Sequence, residues 1–211
     1  FERYNYVNGM NMLNNFIANE LSGIYMDITK DRLYCDAKDD THRRASQSAM
    51  AMIIKRLLIL MAPIITYTCD EIVENAPAIV KGDAEDIFDM AYEPMEKVES
   101  SLDGEYMKQS RFAFGSAIDK LKKDKTIKAT LELTIYTNSD KILALDPTEA
   151  EDWFVVSGVG NQKGTTELGS FKVEDDEFII YKADQHKCPR CWKFNSRAED
   201  TTCARCSEVL A

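Results

Sequence analysis

Four of the six cysteines fall inside 19 residues, spaced C-x2-C-x11-C-x2-C: Cys188, Cys191, Cys203 and Cys206. This spacing constrains the fold more than anything else in the chain. Two cysteines three apart in a tight turn aim both sulfurs at one point. Two such turns supply four sulfurs, the donor set of a tetrahedral zinc ion. Pro189, directly after the first cysteine, favours the turn. Disulfides are the rival reading. Cys35 and Cys69 stand singly in hydrophobic surroundings, as reduced buried thiols do, and no signal segment opens the chain, so a reducing cytoplasm is favoured. Iron also accepts four sulfurs, but nothing else in the sequence suggests electron transfer. Four thiolates leave no open position for water, so one structural zinc per chain is the expectation. Residues 184–211 are too few to bury a core, and the metal is expected to hold them folded.

Basic and aromatic residues sit among the ligands. Arg190 lies inside the first turn, Trp192 and Lys193 follow it, and Arg197 and Arg205 add charge. An aromatic face beside Arg and Lys suits an unstacked nucleobase. It equally suits packing against a neighbouring domain, and the residues alone leave both readings open.

The remainder reads as mainly α. Val7, Met10, Leu13, Ile17, Leu21, Ile24 and Ile28 recur at spacings of three and four, which predicts a helix over 5–28. The stretch "TKDRLYCDAKDD" is polar and turn-like. Asp39, Asp40 or Thr41 can cap a second helix running to about Met61, with Ala45, Ala49, Met52, Ile53, Leu57 and Leu60 as its stripe. Pro63 ends it, and a shorter helix closes at Pro77. Short connections between such helices predict a bundle over 1–77. Residues 78–102 read as an acidic linker with one short helix near Ile87. A helix over 103–124 carries Tyr106, Ser110, Phe114 and Ile118 on one face, and its basic end complements the helix dipole. Alternation in "ATLELTIYT" (129–137) and "EFIIYKA" (177–183) predicts strands, with Pro147 starting a short helix between them. The expected organisation is therefore a helical bundle (1–77), a linker with a small α+β region (78–183) and a four-cysteine zinc finger (184–211).

Net charge is −10, which argues against nucleic acid until its distribution is read. Residues 62–104 carry −9 and 129–183 carry −7, whereas 105–128 carry +4 and the two ends +1 each. Polyanion binding depends on local Lys and Arg clusters, so the neutral and basic blocks are the candidates. No stretch is long and apolar enough to span a membrane. No phosphate loop, dinucleotide fingerprint or zinc-protease motif occurs. The two histidines, His42 and His186, are far apart in sequence. No catalytic residue is expected in these 211. The chain opens on Phe1, not Met, and is expected to be a piece of something longer.

"GIYMDITKDRLY" (23–34) and "RRASQSAMAMIIKRLLILMAPIITYTCDEI" (43–72) resemble the helical anticodon-binding domain of bacterial isoleucyl-tRNA synthetases. "KLKKDKTIKATLELTIYT" resembles their following α+β region, and "KCPRCWKF…CARC" their C-terminal zinc module. The order also matches, so the resemblance covers nearly the whole chain. It implies the tRNA-reading tail of a cytoplasmic, monomeric ligase that joins isoleucine to tRNA(Ile) with ATP. The catalytic and editing domains of the same parent chain, and their motifs, are not in these residues, so the piece alone is expected to be inactive. By motif position, Arg190 and Trp192 match the family's Cys-x-Arg-Cys-Trp turn, which moves Trp192 toward base contact. Lys193 is grouped with them. Lys30, Arg32, Arg43 and Arg44 match basic positions expected to meet phosphates. The rivals are a zinc-finger DNA repair glycosylase, a zinc module for protein contacts, and a synthetase for valine, leucine or methionine. The helical opening disfavours the first, "DITKDRLY" the second, and the terminal cysteine module after an α+β region the third.

Overall fold

A computed structural model describes residues 4–93 and 99–211. The chain is mainly helical, with a small sheet and a cluster of four cysteines. It forms two compact units: Ala37–Glu99 is one, and Phe1–Asp36 with Ser100–Ala211 is the other. This grouping cuts across the expected 1–77, 78–183 and 184–211 segments. Its physical cause is an early helical stretch whose partners come from the far end of the sequence.

The larger unit opens with α1 (Tyr6–Asn15). The helix runs on through Phe16–Tyr25 with the wider π-helical turn and closes as α2 (Met26–Ile28). Of the expected apolar stripe, Leu13 is buried while Val7 faces outward. Buried Thr29 donates its hydroxyl to the Tyr25 carbonyl at 2.8 Å, and α3 (Lys30–Cys35) follows. The sequence predicted a polar turn here. The segment is helical because its charged side chains meet opposite charges of the same unit, so a polar pattern hides a packed face.

In the smaller unit, α4 (Thr41–Met61) is capped by Asp40, whose carboxylate accepts from the Arg43 amide at 3.0 Å. Pro63 and Pro77 bracket α5 (Thr66–Asn75), and α6 (Ala78–Lys81) follows. One 3-10 turn, Ile87–Asp89, is pinned to α5 by the Ile87 amide donating to Asp70 at 3.0 Å. The core is Ala51, Leu58, Cys69, Val73, Val80 and Ile87. Of the expected α4 stripe, Leu57 is buried, but Ala45 and Met52 face outward. The expected linker thus contains a helix and a turn; its residues 94–98 lie outside those described.

The larger unit resumes with α7 (Gly104–Lys123), capped by Asp103 accepting from the Tyr106 amide at 3.1 Å. The strands β1 (Leu133–Thr137), β2 (Gly158–Gly160), β3 (Glu167–Val173) and β4 (Asp176–Lys182) form one sheet in the order β2-β1-β4-β3. Only β1 and β2 are parallel. Their crossover carries α8 (Asp140–Leu143) and α9 (Pro147–Phe154). The first expected strand starts at Leu133 because Thr130–Glu132 form a 3-10 turn. There the Glu132 carboxylate accepts the Lys128 and Ala129 amides. Tyr106, Phe114 and Ile118 of α7 cover Leu133, Ile135, Phe178 and Ile180 of the sheet, with Phe154 beside them. Each such side chain contributes about 1.5–3 kcal/mol by leaving water. A Cβ on Gly164 would lie 2.7 Å from the Tyr181 Cβ, so only glycine fits. Gly164→Ala is expected to destabilise this unit by about 1–3 kcal/mol; an unchanged denaturant midpoint would show that Tyr181 can move aside.

The last elements are the hairpin of β5 (His186–Lys187) and β6 (Phe194–Ser196), then α10 (Ala204–Leu210). Among the described residues no helix is long and apolar enough to cross a membrane.

Candidate metal centre

The β5–β6 hairpin carries Cys188 and Cys191 in its turn, closed by the Cys188 amide donating to the Lys193 carbonyl at 2.9 Å. Cys203 precedes α10 and Cys206 lies within it. All four are buried, and their sulfurs lie within 4.8 Å of one another. The Cys191 and Cys203 sulfurs are 3.8 Å apart. A tetrahedral ion with metal–sulfur bonds near 2.3 Å separates its sulfurs by about 3.8 Å, so the four thiols fit one such ion. Burial opposes ionisation of Cys188. The backbone N–H groups of Cys191, Cys203 and Arg190 outweigh it and hold this thiol down at about 6. Burial pushes Cys191 and Cys203 up instead. Four thiolates together need a cation to neutralise them.

Cys35 is not alone, as the sequence suggested. It packs into the same cysteine cluster, with its sulfur 4.0 Å from the Arg190 carbonyl. Burial and then the Asp31 charge push its thiol up to about 11, so it sits there as a neutral packing group. No local signal in the sequence pairs it with cysteines at the other end of the chain.

Arg190 faces the metal site. Its Nη1 donates to the Cys35 carbonyl at 2.5 Å and to the Cys206 sulfur at 3.5 Å. Such outer contacts orient thiolates and offset their charge. Lys193, expected at an RNA surface, is corrected by its burial: it is 2% exposed. Its ammonium lies 2.8 Å from Glu151, 3.3 Å from Asp152 and 3.5 Å from Asp31. Burial works against this charge, but the carboxylates win and raise its pKa above the ordinary lysine value. Arg205 grips Asp31 with both terminal nitrogens, at 2.6 and 2.8 Å, and reaches Asp36 at 3.2 Å. Arg32 donates to the other oxygen of Asp152 at 2.7 Å. Through these bonds the cysteine hairpin is seated on α3 and the end of α9. The acidic partners Asp31, Asp36, Glu151 and Asp152 were missed from the sequence. The only available signal was an acidic pair at the end of a short helix.

Trp192 behaves differently. Its backbone takes the left-handed conformation, φ 66°, which is costly for a bulky side chain, and the residue is 60% exposed. Lys187 Nζ lies 5.4 Å from the ring centre. Beside it opens a cavity of about 380 Å³ lined by Tyr34, Leu131, Val155, Arg190, Trp192 and Lys30 among others. Lys30 is exposed and pairs with Asp27 at 3.0 Å. The structure therefore gathers Lys30, Arg190, Trp192 and Lys193 around one cavity, with Arg32 bound behind it. Arg43 and Arg44 belong to the smaller unit, where Arg43 is half-buried and Arg44 reaches Gln47 at 3.1 Å.

The sequence model for the anticodon-binding domain of tRNA ligase matches residues 1–137. The chain belongs to this anticodon-binding family. The family match covers α1 to α7 and β1 and stops before the cysteine hairpin. Whole-chain relatives extend further. The chain is 57% identical over 210 residues to an isoleucine–tRNA ligase of a Nitratiruptor species. It is 56% identical over 210 residues to that of Sulfurimonas denitrificans, and 53% over 211 to that of Aliarcobacter butzleri. Each match covers 100% of this chain and 23% of the relative. The anticodon-binding chain thus spans under a quarter of the length of the ligases it matches, and its cysteine hairpin lies inside the matched region.

Proposed function

We propose that the chain is the anticodon-reading part of an isoleucine–tRNA ligase. In this reading it grips the anticodon arm of tRNA(Ile), so that the catalytic and editing domains of the same polypeptide meet the acceptor end. The ligase works in the cytoplasm as a monomer, and the ATP-dependent chemistry belongs to those other domains. Zinc occupies the four-cysteine cluster as a structural ion held by Cys188, Cys191, Cys203 and Cys206. The cluster's work is to fix the hairpin on which Trp192 stands.

The observation that carries this reading is Trp192 itself. A left-handed backbone holds an indole out in water beside a cavity, with Lys187 near its face and Lys30 and Arg190 at the cavity wall. An exposed aromatic next to cations offers a stacking platform for an unpaired base. Arg190 and Arg32, expected from the sequence as tRNA contacts, bond the Cys35 carbonyl and Asp152, and in this reading they serve the platform by holding the hairpin and α3 in place. Lys30, Arg43 and Arg44 remain the proposed phosphate contacts.

Trp192→Ala is expected to weaken tRNA(Ile) binding by about 1–3 kcal/mol with zinc content unchanged. Binding should be compared for tRNA(Ile) and tRNA(Val) at two salt concentrations, with zinc measured on the same sample. Equal affinity of wild type and variant would reduce Trp192 to a packing residue. Equal affinity for the two tRNAs would remove the isoleucine assignment.

A further inference from the structure

We infer that the lysine run closing α7 is a phosphate track that holds one strand of the RNA backbone beside Trp192. The inference rests on the tRNA-binding reading and adds a surface to it. Lys122, Lys123, Lys125 and Lys128 are all exposed. No ion pair engages any of them among the described residues, although Asp119 and Asp124 are close in sequence. The helix dipole accounts for lysines in the last turn, but α7 ends at Lys123. Lys125 and Lys128 lie beyond it.

Lys125 is the telling residue. The Thr126 amide donates back to the Leu121 carbonyl at 2.9 Å, and the Lys125 amide to the Lys122 carbonyl at 3.1 Å. That pair of bonds is a Schellman closure, whose left-handed position is normally glycine. Lys125 occupies it with φ 55°. Lysine bears a strain here that glycine would relieve, which makes its side chain a candidate for a role beyond the fold.

The run also leads to the cavity. Leu131, three residues after Lys128, lines it together with Trp192. Its carbonyl accepts from the Ser157 hydroxyl at 2.5 Å, and that oxygen accepts the Phe194 amide of the hairpin at 2.6 Å. Three residues span at most about 10 Å, so the run ends close to Leu131 at the wall of the cavity that Trp192 also lines. Phosphate contacts along the run would hold the backbone while a base reaches the ring.

The test uses the full-length ligase that carries this chain, with tRNA(Ile) binding measured across a salt series. Changing Lys122, Lys123, Lys125 and Lys128 to Gln should lower affinity at least tenfold near 0.1 M salt. It should also reduce the slope of log affinity against log salt by about three, since each of the four lost phosphate contacts removes about 0.7–0.9. A control with Lys108, Lys141, Lys163 and Lys172 neutralised carries the same net charge and should keep the wild-type slope, as should Trp192→Ala. Lys125→Gly alone should weaken binding several-fold while leaving the thermal midpoint unchanged or raised, which a merely structural lysine would not do. If the ligase binds tRNA(Ile) but the quadruple variant matches wild type, or the control loses as much slope, the track is refuted and the tRNA-binding reading stands. If the unaltered ligase binds no tRNA at any salt, both fall together.

Discussion

If the four-cysteine cluster holds zinc as proposed, Cys203→Ser is expected to release that ion and unfold residues 184–211, leaving the two hydrophobic cores standing. A serine hydroxyl stays protonated near neutral pH and is a poor zinc ligand, so three thiolates must do the work of four. Binding of a structural zinc supplies roughly 10–16 kcal/mol of folding free energy in small modules, and little else is available here. The hairpin has two short strands, and its interior is the cysteines themselves. Metal content should fall from about one ion per chain to a small fraction of that. Trypsin should then cut at Arg190 and Lys193, which the folded hairpin covers. Full metal content in the variant would mean that the four sulfurs are not the ligand set.

Lys193→Met should be nearly as damaging with the metal still bound. The substitution keeps the length of the side chain but leaves Asp31, Glu151 and Asp152 facing a neutral centre. Removing one partner of a buried ion cluster costs about 3–5 kcal/mol. The loss should appear as a lower denaturant midpoint and faster amide exchange in α3 and the hairpin. Acid should tell this apart from a simple packing defect. Glu151 already sits above the ordinary carboxylate range because burial outweighs the Lys193 charge. A carboxyl raised in the folded state adds stability below its unfolded pKa and loses it as pH rises through the folded value. Without the ammonium that rise is larger, so the variant should recover stability on mild acidification. Asp31 opposes this in the native protein. Burial disfavours its charge, but the Arg205 hydrogen bonds and the Lys193 and Arg205 charges hold its carboxyl below the usual value. Its contribution is present above the ordinary carboxylate range and is lost as pH falls through the lowered one. Indifference of the variant to mild acidification would mean that the carboxylates were never strained by the loss.

The sequence made some of this visible and hid the rest for identifiable reasons. The four-cysteine cluster was legible because paired Cys-x2-Cys turns bring four sulfurs to one point, whatever surrounds them. Helix α7 was legible from Tyr106, Phe114 and Ile118 on one face, and α4 from its Asp40 cap, since both signals are local. Helix α3 was not. Its Asp31, Arg32 and Asp36 look like solvent-facing turn residues, and only partners 120 and 174 positions away make them a packed surface. Lys193 misled for the same reason, because a lysine beside a tryptophan in a basic cluster looks like a nucleic-acid contact until three carboxylates enclose it. The division into units was hidden too, because no composition shift marks residue 36 as the edge of one.

The pairing of Asp31 with Arg205 also bears on how the protein is made. The first of these residues leaves the ribosome 174 positions before the second. At typical synthesis rates that is a delay on the order of ten to thirty seconds. Throughout it α3 carries charges arranged for a partner that does not yet exist, while the smaller unit between them can complete its own core. The hairpin therefore seats on α3 late, after the hydrophobic core of the larger unit, whose last residue is Ile180, has already emerged. On the proposed zinc-binding reading, metal supply would act as a checkpoint on newborn chains, and zinc-starved cells should accumulate molecules whose α3 and final hairpin are open to proteases.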